Sequence, residues 1–407
     1  MRPVSTHGAL HQLRTANRRH VIETLRSNGS MTRSALARAT ELSRTTISTL
    51  LVELIEQGLV SEGSADATRK GAGRPATVVQ LDPSAGAAVS IDVGARHLAV
   101  AVGDLAHRVL AEHWTPLSQG HGAEEGLERA SELVTEMLDD AGVDAGSVIG
   151  VAMGLPAPIS QPDGLVASSN ILPGWAGVQV ADEMSARLGM SVFVENDSNL
   201  GALAESAWGA GAGFHQLAYI KAATGIGAGL VQDGKLFRGT TGTAGEIGHT
   251  TVAEDGPICR CGNRGCLELY AGGTALLAAL HQSHPQIETL EQVVTLAHEN
   301  HPACARVLAD AGRHIGVAIA NLINLFNPGR IVVGGELAGA GETVLQPMRV
   351  AAQRSAVQTA VEAVEIVPGV LGHRAEVLGG LALVLFEPWR FGANELVASA
   401  IPEAQPA

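Results

Sequence analysis

His249, Cys259, Cys261 and Cys266 stand in an H-x9-C-x-C-x4-C array, and three of the chain's four cysteines fall within eight residues, around Gly262 and Gly265. Cysteines spaced this closely in a glycine-containing turn bring their sulfurs together at little loop-closure cost. Zinc takes four tetrahedral ligands from thiolate sulfur and imidazole nitrogen, and a Cys3His set leaves no position open for water. Unrelated buried thiols usually sit among apolar neighbours; these sit among Arg260, Gly262, Asn263 and Arg264. The array therefore predicts a closed, structural Zn2+ site rather than a catalytic one. Cys304 is left over as a buried small hydrophobe on a predicted helix.

What such a knuckle would hold is a pair of carboxylates. His249 closes the segment Gly245-Glu246-Ile247-Gly248-His249, and Glu268 follows the last cysteine by two. Upstream, the apolar run Ser191-Val192-Phe193-Val194 reads as a strand that ends in the polar tip Glu195-Asn196-Asp197-Ser198-Asn199. Ligands of open α/β sheets bind at the carboxyl ends of strands. Carboxylates, an amide and an imidazole converging there suit a molecule with several hydroxyls, which is a sugar.

At these residues the chain resembles the family of repressors, open reading frames and kinases known as ROK. The motifs are the GEIGH segment at 245–249, the C-x-C-G-x-x-G-C-L-E block at 259–268 and the ENDSN segment at 195–199, and the resemblance covers about 85 to 390. It implies an α/β actin-like ATPase (ribonuclease H-like) body of two subdomains. It also implies that Asn196, Asp197, Glu246, His249 and Glu268 bind the sugar, with His249 shared with the zinc. In the family's kinases the aspartate matching Asp197 is the general base. Asn170, with Ser169 before Leu172-Pro173-Gly174-Trp175, falls where the family places a further sugar contact.

The kinase reading meets a difficulty at the first phosphate turn. Kinases that this chain resembles carry a D-x-G-G-T-K-type turn, and here the strand Ala88-Val89-Ser90-Ile91 runs into Asp92-Val93-Gly94-Ala95-Arg96-His97. Alanine cannot adopt a positive φ cheaply, and phosphoryl transfer depends on positioning and electrostatics. The turn reads as disabled for ATP. The second glycine run, Ala223-Thr224-Gly225-Ile226-Gly227-Ala228-Gly229, is better kept, but a hairpin that needs glycines for its shape explains it more simply. Gly334-Gly335-Glu336, after the strand Arg330-Ile331-Val332-Val333, reads equally as a strand-to-helix turn or as the family's adenosine-side motif.

The amino-terminal eighty residues carry 11 Lys and Arg against 6 Asp and Glu, net +5, which leaves 16 against 35, net −19, in the rest of a chain whose total is −14. A basic module on an acidic body suggests that the module alone meets a polyanion. Its pattern is a winged helix-turn-helix. Residues 16–26 and 32–40 read as two helices; Ser43 caps a third in which Ile47, Leu50, Leu51, Leu54 and Ile55 follow helical spacing, and Gly58 ends it. Arg44, Thr45, Ser48 and Thr49 lie on the opposite face, where short polar groups and one fork-shaped cation reach base edges or phosphates in a major groove. The polar run 61–75 and the apolar strand 76–81 then form a wing. Arg74, within Gly73-Arg74-Pro75, is placed to enter an A·T-rich minor groove.

These readings predict 1–80 as a winged helix-turn-helix domain with a Gly-Arg-Pro linker, 85–200 as the first α/β subdomain and 201–395 as the second with its zinc knuckle. No internal repeat is visible. No apolar run is long enough to span a membrane, the longest notable one being Val377 to Phe386, and no secretory signal is seen, so a reducing cytoplasm is expected. The expected function is a non-enzymatic, sugar-responsive regulator of transcription. It is expected to repress carbohydrate genes as a homodimer or homotetramer on an A·T-rich inverted repeat of double-stranded DNA. An ATP-dependent sugar kinase is the alternative. Whether the effector is a sugar, a sugar phosphate or a protein partner stays open.

Overall fold

A computed structural model of the chain describes residues 17–387 apart from 19, 23, 26–27, 57, 65–76, 119, 161–163, 167–171 and 173. The predicted Arg74 and Asn170 contacts therefore lie outside the described residues, as do the wing tip and residues 16, 19, 23 and 26 of the first predicted helix.

The amino-terminal module is built by two capped helices. Thr32 Oγ1 accepts from the Ala35 N–H at 3.2 Å and opens α1 (Arg33–Ala39), and Ser43 Oγ accepts from the Thr46 N–H at 3.1 Å to open α2 (Arg44–Glu56). Gly58, at φ 70°, supplies the left-handed turn that releases the chain into the wing. Strands β1 (Met31–Thr32), β2 (Val60–Ser64) and β3 (Thr77–Leu81) form an antiparallel sheet in the order β1-β3-β2. The apolar stripe Ile47, Leu50, Leu51 and Leu54 packs on Val21, Leu25, Leu36, Val60, Val79 and Leu81, and Arg33 pairs with Glu62 to tie α1 to the wing.

The body is two copies of one topology. Strands β4 (Ala87–Val93), β5 (His97–Asp104), β6 (Val109–Pro116), β7 (Val148–Leu155) and, beyond the small hairpin β8 (Ile159–Ser160) and β9 (Leu165–Val166), β10 (Val192–Asn196) form a sheet ordered β10-β7-β4-β5-β6. Strands β11 (Leu217–Ala222), β12 (Ile226–Gln232), β13 (Lys235–Leu236), β14 (Arg330–Gly334) and β15 (Glu365–Pro368) form a second, ordered β13-β12-β11-β14-β15. In both, the first two strands make an antiparallel hairpin and the first, fourth and fifth run parallel. This is the two-subdomain, actin-like body that the family motifs imply, and no internal repeat is visible in the sequence because only strand order and direction recur, which different side chains satisfy.

Packing makes five layers. Helices α3 (Ala123–Ala141) and α4 (Val180–Leu188) cover the outer face of the first sheet; α6 (Pro302–Phe326) and α7 (Glu342–Ser355) cover that of the second. Between the sheets lie α5 (Asp197–Trp208) and α8 (Ala375–Phe386), each following the last strand of its own copy. The run Val377 to Phe386 is apolar all round because it is buried between two sheets. A Cβ on Gly379 would come within 1.9 Å of the Leu200 carbonyl, so only glycine lets the two central helices cross this closely. Inner-face residues Ala88, Ala99, Ala101 and Ala152 are small for the same reason.

Module and body meet at the turn between β5 and β6. Leu105 packs against both the module core and the central layer. Asp104 holds the turn, its Oδ1 accepting from the Ala106 and Arg108 N–H groups at 2.8 and 3.0 Å. A cavity of about 210 Å³ lined by Leu25, Gln80, Leu81, Leu105 and His107 lies on this seam. Among the described residues no helix is long and apolar enough to cross a membrane.

Candidate functional site

The knuckle closes as its spacing predicts. The ligand atoms of His249, Cys259, Cys261 and Cys266 all lie within 4.8 Å of one another. Cys261 Sγ and Cys266 Sγ are 3.7 Å apart, and Cys259 Sγ is 3.6 Å from His249 Nδ1. Those are the edges of a tetrahedron around an ion with bonds of about 2.0–2.3 Å, so the four residues fit a bound metal. The turn is also held by its backbone, with the Cys259 N–H donating to the Asn263 carbonyl and the Gly265 N–H to the Pro257 carbonyl.

Because Nδ1 faces the sulfurs, His249 Nε2 is turned the other way, 4.0 Å from Glu246 Oε2. Gly245, at φ 98°, lets this segment lie against β12: a Cβ there would sit 1.9 Å from the Ala228 carbonyl oxygen. Glu268 secures the other side. Its Oε2 accepts from the Ile226 N–H at 3.1 Å and its Oε1 from Arg260 Nη2 at 2.9 Å. Burial, joined by the charges of Asp197 and Glu268, pushes the Glu246 carboxyl up to about 7. A carboxyl poised there can accept or donate a hydrogen bond, which suits a hydroxyl.

The polar run 195–199 is not a loop. Glu195 and Asn196 end β10, and Asp197 begins α5. Asn196 is the helix cap: its Oδ1 accepts from the Ser198 and Asn199 N–H groups at 2.9 and 3.3 Å, and its Nδ2 donates to the Ala157 carbonyl at 3.0 Å. Glu195 is buried, bonded to Asn199 Nδ2 and paired with Arg238 Nε at 2.6 Å. Asp197, at the first turn of α5, faces the second lobe, where Lys221 Nζ reaches its Oδ2 at 2.9 Å. Asn196 and Asp197 thus come from the first copy, and Glu246, His249 and Glu268 from the second.

The two hairpins face one another across this cleft. On β4–β5, His97 Nε2 lies 2.8 Å from Asp92 Oδ2, its ring stacked beside Trp114 with centroids 6.0 Å apart. The ring covers Gly94 so closely that a Cβ there would be 2.1 Å from it. On β11–β12 the residues 223–225 form a plain hairpin turn, and a Cβ on Gly227 or Gly229 would strike Ser198 of α5 at 2.2 Å. These glycines serve close packing of β12 on α5 rather than the shape of the hairpin turn, since none of Gly225, Gly227 and Gly229 has a positive φ.

Sequence reasoning missed two residues here. Lys221 lies on the inner face of β11, and besides Asp197 it reaches Glu376 Oε1, on α8, at 3.2 Å. Burial would strip its proton, but Asp197, Glu376 and Asp92 together hold its pKa well above the ordinary value. The only local signal is a lysine in a short strand otherwise buried on both faces.

The residues expected to face DNA share one side of α2. Arg44, Thr45, Ser48 and Thr49 are all exposed, opposite the buried Ile47, Leu50, Leu51 and Leu54.

With this geometry in hand, comparison with known proteins is decisive. The ROK family matches over residues 88–387. The chain belongs to the ROK family. A winged helix-turn-helix DNA-binding family matches over 14–61. The chain is 29% identical to a xylose repressor of Caldicellulosiruptor bescii, across 93% of this chain and 98% of that one. Among solved structures, a ROK family transcriptional regulator described as a homologue of the E. coli MLC protein superposes with a TM-score of 0.77 at 26% identity, covering 95% of this chain and 100% of that one. A ROK glucokinase from Streptomyces griseus, solved with glucose and AMPPNP, superposes at 0.63 and 27% identity, covering 73% of this chain and 99% of its own. The kinase matches the body; the regulator matches body and module together.

Proposed function

We propose that this ROK protein is a sugar-responsive, DNA-binding regulator, a repressor of carbohydrate uptake or catabolism genes, whose body binds a sugar without phosphorylating it. The observation that carries this reading is one chain in which a winged module with an exposed polar recognition face is joined to a sugar-kinase-like body whose phosphate turn is filled by its own His97. The repressor relative, alike over nearly the full chain, supports it.

In this proposal Asp197, Glu246 and His249 Nε2 bind the sugar hydroxyls, with Asn196 and Glu268 fixing the walls and Asn170 adding a contact. His249, Cys259, Cys261 and Cys266 hold Zn2+; the ion's contribution is to clamp the segment that carries Glu246 and His249. Arg44, Thr45, Ser48 and Thr49 read the major groove while Arg74 enters the minor groove. The working form is a cytoplasmic homodimer or homotetramer on an inverted repeat. A ligand shifts an equilibrium only by differential affinity, so the inducing sugar favours a lobe arrangement that spoils the spacing of the paired modules. Leu105, shared between the module core and the central layer, lies on the route by which lobe motion reaches the module. The test is operator binding by the full chain across a panel of sugars: release by one class of sugar is expected, and absence of DNA binding at low salt overturns the reading.

A sugar kinase with a DNA-binding appendage is the second reading, favoured by the retained Asp197 and by the glucokinase likeness. Against it, Asp197 is ion-paired to Lys221, and the turn that would approach the phosphates is covered by an imidazole.

A further inference from the structure

The duplication gives the two hairpins strictly comparable positions. In the first copy Val93 pairs with Leu98 to close the hairpin, and Asp92, one residue earlier, lies between Ala99 on β5 and Gly154 on β7. In the second, Ala222 pairs with Ile226, and Lys221, one residue earlier, lies between Gly227 on β12 and Gly334 on β14. Asp92 and Lys221 are therefore equivalent residues of opposite charge, both on the inner faces of their sheets. The helices that follow the last strands match as well: α5 starts with Asp197 and α8 carries Glu376 in its first turn.

Three buried carboxylates from three elements thus converge on one ammonium. Lys221 Nζ is 2.9 Å from Asp197 and 3.2 Å from Glu376, and its charge reaches Asp92, whose Oδ1 has no hydrogen-bond partner among the described residues. Hard divalent cations are held by just such sets of carboxylate oxygens. A glucokinase of the same family holds an ATP analogue beside its sugar. In this chain Lys221, His97 and Arg260, basic side chains that the described residues place in the cleft, are each already paired with a carboxylate.

We propose that Lys221 is a tethered counter-ion, occupying the centre that a divalent cation would otherwise take among Asp92, Asp197 and Glu376, and that with the His97 ring it closes the phosphate half of the cleft, so that the ligand is a neutral, unphosphorylated sugar. The final clause rests on the sugar reading above; the first does not. A phosphate monoester brings nearly two negative charges. Entering here, it would meet three carboxylates whose cation is spent and a turn whose Gly94 lies against an imidazole and already donates its N–H to the His97 carbonyl. A neutral sugar asks only for hydrogen bonds from Asp197, Glu246 and His249.

The experiment uses the full chain with its knuckle metal retained. Mn2+ binding is read by electron paramagnetic resonance in the wild type, Lys221→Ala and Lys221→Arg, with folding checked by circular dichroism. The wild type and Lys221→Arg are expected to hold no Mn2+ in the cleft, and Lys221→Ala to gain one ion per chain with Kd on the order of 0.1–1 mM. A folded Lys221→Ala that gains none overturns the counter-ion. Calorimetry on the wild type supplies a readout that needs no variant: Mg2+ with AMPPNP, and glucose 6-phosphate and N-acetylglucosamine 6-phosphate, are expected not to bind. Binding of any of them overturns the closed phosphate half. Xylose, glucose and N-acetylglucosamine are the neutral probes. If none of these binds while Lys221→Ala takes up Mn2+, the counter-ion stands and the sugar reading falls.

Discussion

The two ends of the cleft are built on opposite plans. At the knuckle end a metal-ligand cluster fixes the backbone while Glu246 and the Nε2 of His249 point into the cleft, 4.0 Å apart, and Glu246 is raised to about 7 by burial and by its acidic neighbours. At the hairpin end Lys221 ties up one oxygen each of Asp197 and Glu376, His97 pairs with Asp92, and its ring covers the turn. One end keeps polar groups in reserve for a visitor and the other has used its basic groups on its own carboxylates. On the proposed reading, the difference teaches that residues at hairpin positions are enough to close the phosphate side of a kinase-like fold while its sugar side stays open.

The strongest way to break the comparison is at the knuckle. Cys261→Ser removes one of four ligands, so the metal should be lost and the body destabilised by several kcal/mol, on the order of 10 °C in Tm. Elemental analysis and calorimetric melting check it; a wild type that is metal-free at full stability contradicts the site. Next comes Glu246→Ala, which removes a ligand contact while leaving all four metal ligands in place. Operator affinity should stay near wild type, while the sugar concentration for release should rise by about tenfold or more, the cost of a charge-assisted hydrogen bond. Release at the wild-type concentration would place the pocket elsewhere. His249→Ala should lose metal and response together.

Much of this was legible in the residues, and the reason is locality. The metal ligands lie within eighteen residues, the α2 stripe repeats at helical spacing, and Asp197 follows a recognisable apolar strand. Lys221 and Glu376 were not legible: they are far apart in sequence, meet only because α8 inserts between the sheets, and each looks from its own segment like a stray charge in an apolar run. The duplicated strand order was hidden for a related reason, since Asp92 and Lys221 occupy one position with opposite charges. Asn196 shows the converse case. Its motif reads as a ligand contact, yet its carbonyl oxygen is committed to capping α5.

Smaller effects sharpen the picture. Arg44→Ala should cost operator binding about 1–3 kcal/mol and relax specificity at one base pair if the guanidinium reads a base edge. A phosphate contact would instead weaken all sequences alike and lower the salt slope, and anisotropy titrations at two salt concentrations separate the two. The smallest effect is on pH. Burial pulls the His97 pKa down, but its hydrogen bond and ion pair with Asp92 prevail and raise it above 6.5, while Asp92 is lowered. A raised histidine stabilises fully below its unfolded value and loses that contribution as pH climbs through the folded one; the lowered aspartate keeps its contribution until pH falls below the usual carboxylate range. Tm should therefore decline gently above pH 6.5. The decline should be weaker in His97→Ala, and an unchanged pH profile in that variant would remove His97 as its source.

The central claim is that the body senses a sugar and does no phosphoryl transfer. Its most direct test follows an operator duplex by fluorescence anisotropy, with the full wild-type chain, as a releasing sugar is titrated with and without Mg2+ and ATP, the sugar then being recovered and weighed by mass spectrometry. The account predicts superimposable release curves and an unmodified sugar. Release that requires ATP, or a sugar recovered heavier by one phosphoryl group, would contradict it.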